Sequence, residues 1–377
     1  MNNEDLMRSF NQYIKHKKIG HLKINLFKKI SLSFLIVFLF PLIFLNFFYW
    51  TSKQTNKLFI FPFNNREPMK TIVEDLRKIS NSQVILNPQA LYIVPFILYR
   101  DFLLCLINRP IWTIQNLDFW GALALKISKY YGYKQRYGIK NMLIFQEYSF
   151  YSSYLTKIFE SEHGKLYNMM HGIPGEEASF FRFSKCFVWD EYFKSYFIRN
   201  GAEEKQFVIS GSIFHQKLKE YLSNSIVIQY DIIYALQGDE YSSSKYKQEI
   251  LKLLNELRDK HGLKIAIKPH PIYMDTFKSY GFDIITNPVY ESIGVTQLVI
   301  SQFSTMLYDA KSMGKKAFAF LPEKQRHLVS YLKEEEVISD YKEASNKVLE
   351  LLNENRKEKL DIAKKIDTLE IVDATIY

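Results

Sequence analysis

The chain has 377 residues, of which 47% are apolar and 24% are charged, and its formal net charge is +10. This length favours two domains over one, and the apolar content excludes an intrinsically disordered protein. Much of the positive charge lies in the first 29 residues, so it suits an anionic membrane surface better than nucleic acid, which we do not expect as a partner.

The first predicted element is the uncharged apolar segment Ile30–Trp50, which follows the basic stretch. It is long enough to span a bilayer, and Pro41 near its centre would kink a helix. We therefore predict a membrane-associated helix within an N-terminal region of residues 1–52. The alternative is an apolar helix that is buried against the body of the protein or in an oligomer.

Strands and helices then alternate, which predicts an N-terminal Rossmann-like domain over residues 53–224. The segment 90–107 is apolar but contains Arg100 and Asp101, so we expect a buried or membrane-touching helix and not a second span. A helix is predicted at 65–80, where apolar residues recur at three- and four-residue spacing. Strands are predicted at 57–63, 82–87, 141–145, 165–170, 185–189 and 206–212.

A polar stretch at 222–225 precedes a second α/β run, which predicts a C-terminal Rossmann-like domain over residues 225–377. Helices are predicted at 245–261 and 305–313, with further helices towards the C-terminus. Two such domains would face each other across a cleft at their carboxyl edges. Strands are predicted from 230, at 264–267, 282–287 and 316–320, and in the run that begins at 297.

Three loops of this second run follow predicted strands, at 237–239, 268–271 and 301–305. Pro269 and Pro271 end a strand sharply and fix His270 on an extended loop at the edge where ligands of α/β sheets bind. A turn with a capping histidine is the alternative. The third loop begins a helix with hydroxyl groups, which suits a phosphate, or else it is plain capping by Ser304.

The motif "KPHP", followed by "SQFSTMLYDA" and "GKKAFAF", resembles the nucleotide-binding half of bacterial GT-B transferases that build surface polysaccharides. The similar groups are sialyltransferases and polysialyltransferases, capsule Kdo transferases and CDP-glycerol glycerophosphotransferases. In the first half, "MHGIPGEEASFFRFSKCFVWDEYF" resembles capsule-type transferases. The chain departs from these groups by a Ser-Thr pair in place of two serines, and by lacking an Asp/Glu-Asp-Gly triplet in the first domain.

This resemblance implies an α/β protein of the GT-B fold with two Rossmann-like domains. It implies that His270 contacts the donor phosphate, that Ser304 and Thr305 bind phosphate oxygens, and that Glu323 lies where such enzymes often have an acidic residue for the ribose. The nucleotide- and donor-binding residues that we expect are Gln237, Gly238, Lys268, His270, Pro271, Ser301, Ser304, Thr305 and Glu323.

An inverting transfer needs a base that deprotonates the acceptor hydroxyl. Glu147, in a loop rich in hydroxyl groups and aromatic rings, is our first candidate, and His171 is the second. Glu176 and Glu177 come third, and Glu176 is also a candidate acceptor contact. Arg182 and Lys268 are candidates for phosphate or acceptor-carboxylate contacts. The alternatives are solvated loop residues and surface ion pairs.

We therefore predict a glycosyltransferase that moves a sugar from a CMP-activated ulosonic acid of the sialic acid or Kdo type to a capsule or lipopolysaccharide glycan. Its partners would be the nucleotide sugar, a glycan or lipid-linked glycan acceptor and, through residues 30–50, the membrane. We expect no cofactor and no essential metal, because the departing nucleotide is a monophosphate and the sequence has no His/Cys cluster.

The predicted location is the cytoplasmic face of a bacterial inner membrane, and the alternative is a type II membrane protein. Two other functions stay open. One is a polyol-phosphate transferase with a CDP-linked glycerol or ribitol donor, and the other is a non-catalytic membrane scaffold of a polysaccharide assembly complex.

Overall fold

A computed structural model describes residues 4–18, 55–61, 73–74, 76–78, 82–86, 92–146, 149–173, 182–212, 227–236, 244–270 and 280–353. These residues form two compact units, and the division falls between Ser210 and Gly211. The predicted domain boundary at residues 224 and 225 lies outside the described residues.

The first unit contains a parallel sheet of six strands in the order β2-β1-β3-β4-β5-β6. The chain runs outward from β1 to β2 and then returns to β3 on the other side of β1. Its topological switch point therefore lies between β1 and β3. The strands are β1 (Thr55–Phe61), β2 (Ser82–Val84), β3 (Ile139–Ile144), β4 (Lys165–Met169), β5 (Lys185–Val188) and β6 (Phe207–Ile209).

Helices cover this sheet, and the predicted helix at 90–107 begins only at Phe96, because Pro95 fixes an extended backbone before it. The sequence analysis did not predict the helices α1 (Glu4–Lys18) and α4 (Leu117–Tyr137). Leu6 and Tyr13 of α1 are buried, and α1 packs against α5 (Ser152–Ser161) as part of the first unit. The helices are α1 (Glu4–Lys18), α2 (Phe96–Asn108), α3 (Pro110–Gln115), α4 (Leu117–Tyr137), α5 (Ser152–Ser161) and α6 (Glu191–Arg199).

The second unit contains another parallel sheet of six strands, in the order β12-β11-β10-β7-β8-β9. Counted within the unit this is 6-5-4-1-2-3, the strand order of a dinucleotide-binding Rossmann sheet. The switch point lies between β7 and β10. The strands are β7 (Tyr230–Ala235), β8 (Ile265–Lys268), β9 (Asp283–Ile284), β10 (Thr296–Ser301), β11 (Lys316–Phe320) and β12 (Val337–Ile338).

This second sheet is buried on both faces. Ile233 and Val299 belong to one apolar cluster, whereas their chain neighbours Ile232 and Leu298 belong to the cluster on the other face. Strands buried on both sides give the continuous apolar runs that a parallel sheet requires. The helices are α7 (Ser244–His261), α8 (Val289–Gly294), α9 (Thr305–Ser312) and α10 (Tyr341–Asn353).

The apolar segment Ile30–Trp50, for which we predicted a membrane-associated helix, lies outside the described residues. Among the helices within the described ranges, none is both long enough and apolar enough to cross a membrane.

Candidate functional site

Four strands of the second sheet end at its carboxyl edge, where the sequence analysis placed its candidate residues. The strands β7, β8, β10 and β11 end at Ala235, Lys268, Ser301 and Phe320, and parallel strands end at the same edge. Each strand is followed there by residues that the sequence analysis selected. Gln237, Gly238 and Pro271, which belong to two of these loops, lie outside the described residues.

Ser301 connects the two strands of the switch point. It is fully buried, and its hydroxyl donates a hydrogen bond of 2.7 Å to the backbone carbonyl of Ala235 at the end of β7. The bond fixes the spacing of two strand ends between which a Rossmann sheet receives its ligand. This geometry gives Ser301 a positioning role, and direct contact between Ser301 and a nucleotide stays a prediction.

Ser304 caps helix α9, as the alternative interpretation of the serine-rich loop expected. Its Oγ accepts a hydrogen bond of 3.3 Å from the backbone N–H of Met306. A serine cap uses the oxygen as an acceptor but leaves the hydroxyl hydrogen as a donor. Thr305 is the first helical residue, at the end of the helix where the macrodipole favours an anion. Capping and phosphate binding are therefore compatible here.

Lys268 is the last residue of β8, and His270 comes two residues later, after Pro269. Lys268 and His270 are both partly buried. The Lys268 ammonium donates to the backbone carbonyl of Asn287. Burial lowers the pKa of Lys268 to about 8, although the nearby Glu291 carboxylate opposes this shift. An ammonium held partly out of water at a strand end has electrostatic energy to gain from a phosphate.

Glu323 follows β11 at the same edge, as expected from the sequence. It begins a 3₁₀ helix, Glu323–Val329, and its side chain is 71% exposed. Its carboxylate accepts a hydrogen bond of 3.1 Å from the Ser339 hydroxyl and lies 3.6 Å from the Arg326 guanidinium. Contact between Glu323 and a ribose stays a prediction.

Gln302 is a polar residue of this edge that the sequence analysis quoted within "SQFST" but did not select. Its side chain is 2% exposed, and within the part of the chain that the structure describes its Oε1 has no hydrogen-bond partner. A buried amide oxygen without a partner costs free energy, so such groups mark sites where a ligand or water completes the bonding. The signal was available, because Gln302 follows the last residue of β10 directly.

The carboxyl edge of the first sheet carries His171, the second candidate for the base. It follows β4 and is partly buried, next to Gly172. Among the residues that the structure describes, a Cβ atom added to Gly172 would meet no atom within 4 Å. The space beside His171 is therefore open on that side, as a ligand-approach position requires.

The loop of Glu147, our first candidate, is anchored on both sides although Glu147 itself lies outside the described residues. The Gln146 backbone N–H donates 2.8 Å to Asn168 Oδ1, and the Ser149 hydroxyl donates 3.1 Å to Gln146 Oε1. Tyr151 also donates to Gln146 Oε1, and burial raises the pKa of this phenol, so it stays a neutral donor. Hydrogen bonds therefore hold Gln146 and Ser149, the described residues on either side of the loop, at the carboxyl edge of the first sheet.

Arg182 forms an internal ion-pair cluster, which matches the ion-pair alternative of the sequence analysis. Its guanidinium contacts Asp5 of α1 at 2.7 Å and Glu160 of α5 at 2.8 Å. Burial lowers the pKa of Arg182, but the hydrogen bonds to these two carboxylates outweigh it and raise the pKa overall. Contact between Arg182 and an acceptor stays a prediction, and Glu176 and Glu177 lie outside the described residues.

A groove of about 430 Å³ lies at the opposite, amino edge of the first sheet, where β4 and β5 begin. It is lined by Glu160, His163, Gly164, Lys165, Ser184 and Lys185. None of the residues selected from the sequence lines it. Within the described ranges, His, Cys, Asp and Glu side chains form no group of three or more that could hold a metal ion.

The chain was compared with known families, curated proteins and solved structures. No family model and no curated protein matches it. The UDP-N-acetylglucosamine 2-epimerase of Methanocaldococcus jannaschii, in complex with UDP-GlcNAc and UDP, is similar with a TM-score of 0.55 and 11% identity, over 85% of this chain and 99% of that one.

Two more solved structures are similar. The enzyme of the same name from Rickettsia bellii has a TM-score of 0.54 and 11% identity, over 85% of this chain and 95% of that one. The enzyme from Neisseria meningitidis, bound to UDP-GlcNAc, has a TM-score of 0.53 and 13% identity, over 85% and 98%. At these identities the likeness concerns the fold, and with the two six-stranded parallel sheets it confirms the predicted α/β, GT-B fold class.

Proposed function

We propose that this protein is a glycosyltransferase whose nucleotide donor binds at the carboxyl edge of the second sheet. The observation that carries the proposal is the Rossmann strand order of the second sheet, in which the hydrogen bond from Ser301 to Ala235 joins the two strand ends of the switch point. Ligands of open α/β sheets bind at this position. The GT-B fold supports the proposal, because the similar structures hold UDP-GlcNAc or UDP.

In the proposed site, the Ser304 hydroxyl and the backbone N–H groups at the start of α9 contact phosphate oxygens. Lys268 supplies positive charge, and His270 donates a hydrogen bond to the phosphate. Glu323 accepts from the ribose hydroxyl groups. Each of these groups belongs to the class that stabilises a departing phosphate in a transfer reaction.

The donor that we propose is a CMP-activated ulosonic acid of the sialic acid or Kdo type, and the acceptor is a capsule or lipopolysaccharide glycan. The acceptor oxygen attacks the anomeric carbon and forms the new glycosidic bond. The bond from that carbon to the phosphate oxygen breaks, and CMP departs with its electron pair. Glu147 or His171 takes the proton of the acceptor hydroxyl. The attack comes from the face opposite the departing CMP in a single displacement, so the anomeric configuration is inverted. The departing group is a monophosphate, so the proposal needs no metal.

We propose further that the protein works at the cytoplasmic face of a bacterial inner membrane. Two features support this location. The uncharged segment Ile30–Trp50 follows a basic stretch, and lipid-linked acceptors are found at the membrane. A type II membrane protein is the alternative topology.

A second candidate function is UDP-sugar chemistry, which the UDP-GlcNAc complexes of similar fold favour. Thermal stabilisation by CMP, CDP, UDP and GDP, measured side by side, tests both candidates. A ligand that binds only the folded state raises the melting temperature, and the shift grows with the logarithm of its concentration relative to the dissociation constant. The proposal predicts stabilisation by the cytidine nucleotides, and its loss in His270→Ala.

The other outcomes are equally informative. Stabilisation by UDP alone would support the second candidate and overturn the cytidine donor. With a cytidine response, release of CMP from a CMP-ulosonic acid supports the sugar transferase, whereas release of CMP from CDP-glycerol supports the polyol-phosphate transferase. No response to any nucleotide would support the scaffold.

A further inference from the structure

Helices α2 and α3 expose four large apolar side chains. Phe96 is 71% exposed, Ile107 74%, Ile111 71% and Ile114 58%. We call these four residues, together with Arg100 and Arg109, the α2–α3 surface. Single exposed apolar residues are ordinary, but several on adjoining short helices mark an interaction site.

The spacing shows which of these residues share a helix face. The positions from Phe96 through Arg100 to Ile107 follow the four- and seven-residue steps of one face of α2. Ile111 and Ile114 are three residues apart and share a face of α3. Arg109, between the two helices, has a non-helical backbone with φ −143° and ψ 58°, so the apolar series consists of two exposed faces on adjoining helices.

Other faces of the same helices attach them to the first unit. Leu98 is buried, and so is Asp101, whose carboxylate lies 2.7 Å from the Lys157 ammonium and accepts 2.9 Å from the Tyr154 hydroxyl. In α3, Thr113 is buried. The exposure of the apolar series is thus a property of an anchored element and not of a loose end.

The charge of the surface is positive. Arg100 and Arg109 are exposed, and the only acid between Phe96 and Gln115 is Asp101, which is 2% exposed. Asp101 is paired with Lys157 and, at 3.1 Å, with the half-exposed Arg100 guanidinium, so these three groups together still carry a net positive charge. An apolar face with arginines and no exposed acid complements an anionic lipid surface. It opposes self-association, because two copies would bring like charges together.

Helix α1 packs beside α3. Phe10 packs edge-on against Trp112 of α3 with 5.0 Å between the ring centroids, and Lys17 lies 3.0 Å from Asp118 at the start of α4. Helix α1 ends at Lys18, and in the sequence a basic stretch and then Ile30–Trp50 follow it. The segment for which we predict membrane association is therefore joined in sequence to a helix that packs against α3.

We propose that the α2–α3 surface docks on an anionic bilayer, with the four apolar side chains in the interfacial layer and the two arginines at lipid phosphates. This proposal does not depend on the nucleotide site, because vesicle binding and nucleotide binding are separate measurements. It adds a folded second contact to the segment at 30–50, and membrane anchors commonly need two signals.

The test places an environment-sensitive fluorophore, NBD, on single cysteines at Ile107 and at Ile111 in the full-length protein. Cys105 is first replaced by alanine, because it is partly exposed in the same helix, whereas Cys186 is buried. The matched control carries the fluorophore at Glu191, whose side chain is 65% exposed on α6. Vesicles are phosphatidylcholine alone, or phosphatidylcholine with phosphatidylglycerol, each with and without brominated acyl chains.

The proposal predicts a blue shift and severalfold quenching by brominated lipid at Ile107 and Ile111 in the anionic vesicles, and neither at Glu191. It also predicts that the pair Ile107→Asp and Ile111→Asp lowers the fraction of protein that floats with anionic vesicles severalfold. Val227→Asp is the control, because Val227 is equally exposed, at 77%, but lies in the second unit. An unchanged melting temperature and circular dichroism spectrum without any ligand would show that the variants are folded.

Two results would overturn the proposal. In the first, the protein floats with the vesicles but both fluorophores on the α2–α3 surface stay in water, which would mean that the segment at 30–50 carries the binding alone. In the second, the fluorophores shift without vesicles and the protein has twice its monomer mass, which would mean that a second copy covers the surface.

Discussion

Lys268 provides a quantitative test of the site, because its protonation is coupled both to folding and to anion binding. Burial lowers the pKa of this lysine to about 8. The ordinary lysine value is about 10.4, so holding the ammonium in the folded protein costs on the order of 3 kcal/mol below pH 8.

The sign of the pH dependence follows from proton counting. Between about pH 8 and about pH 10 the folded Lys268 is largely neutral while the unfolded chain still holds its proton. The unfolded state then binds more protons, so the free energy of unfolding increases with pH in this window. In Lys268→Met this increase is absent, because the titrating group is gone.

The affinity for the nucleotide decreases with pH, whereas the free energy of unfolding increases with pH. A phosphate beside Lys268 stabilises the ammonium and raises its pKa, so the nucleotide binds together with a proton above about pH 8. The dissociation constant then increases by up to about tenfold per pH unit in that range. Isothermal titration from pH 7 to pH 10 measures this slope, and Lys268→Arg flattens it because arginine stays charged.

Lys315 is the matched control. Burial lowers its pKa as well, but its ammonium donates to the Gly294 and Thr296 carbonyls at the amino edge, where β10 begins. Lys315→Met therefore leaves nucleotide affinity and its pH slope unchanged. An equal effect of both lysine substitutions, or a pH slope that persists in Lys268→Met, would refute the assignment of Lys268 to the phosphate site.

Three further predictions concern stability in urea denaturation. Gly164→Ala lowers the free energy of unfolding by about 1–3 kcal/mol, because its Cβ would lie 2.3 Å from the Lys140 carbonyl oxygen. Gly172→Ala changes it by less than about 0.5 kcal/mol, because its Cβ meets open space, and an equal cost at both glycines would contradict this account. Ser301→Ala lowers it by about 1–3 kcal/mol, because the buried Ala235 carbonyl loses its side-chain donor, and a neutral change would remove the positioning role. Arg182→Met costs about 1–3 kcal/mol, because the Asp5 and Glu160 carboxylates lose their guanidinium partner, and a change below about 0.5 kcal/mol would contradict this cause.

The strands and their carboxyl ends were predictable because a parallel sheet buries both faces. The strand before His270 was predicted at 264–267 and is Ile265–Lys268, and "KAFAF" is β11 as predicted. The end of such a run identifies the edge of the sheet, so the residues after each strand were found without a structure. The strand order, and with it the switch point, needs pairings between distant residues that periodicity does not contain.

Helix α1 shows what hydropathy could not predict. Three polar residues of α1 are buried, at 0% for Ser9, 1% for Gln12 and 9% for His16. The hydroxyl of Ser9 accepts from the backbone N–H of Tyr154, which is 145 residues away. The apolar spacing of Leu6, Phe10 and Tyr13 was readable in the sequence, but the burial of the three polar side chains depends on partners that are distant along the chain.

Arg182 shows the same limit for a candidate site residue. It follows the glycine- and proline-containing loop that the sequence analysis selected, yet its partner Asp5 is 177 residues away. No local pattern distinguishes an arginine held by two carboxylates from one that binds a ligand. Gln302 is the converse case, because its importance comes from an unpartnered buried oxygen that only the described structure reveals.

The most direct test of the proposed nucleotide site is hydrogen exchange of the full-length protein, with and without the nucleotide that stabilises it most. The account predicts slower exchange in the peptides covering residues 265–270 and 301–312, at the carboxyl edge of the second sheet. Slower exchange around residues 160–165 and 184–185 instead, at the groove on the amino edge of the first sheet, would contradict it.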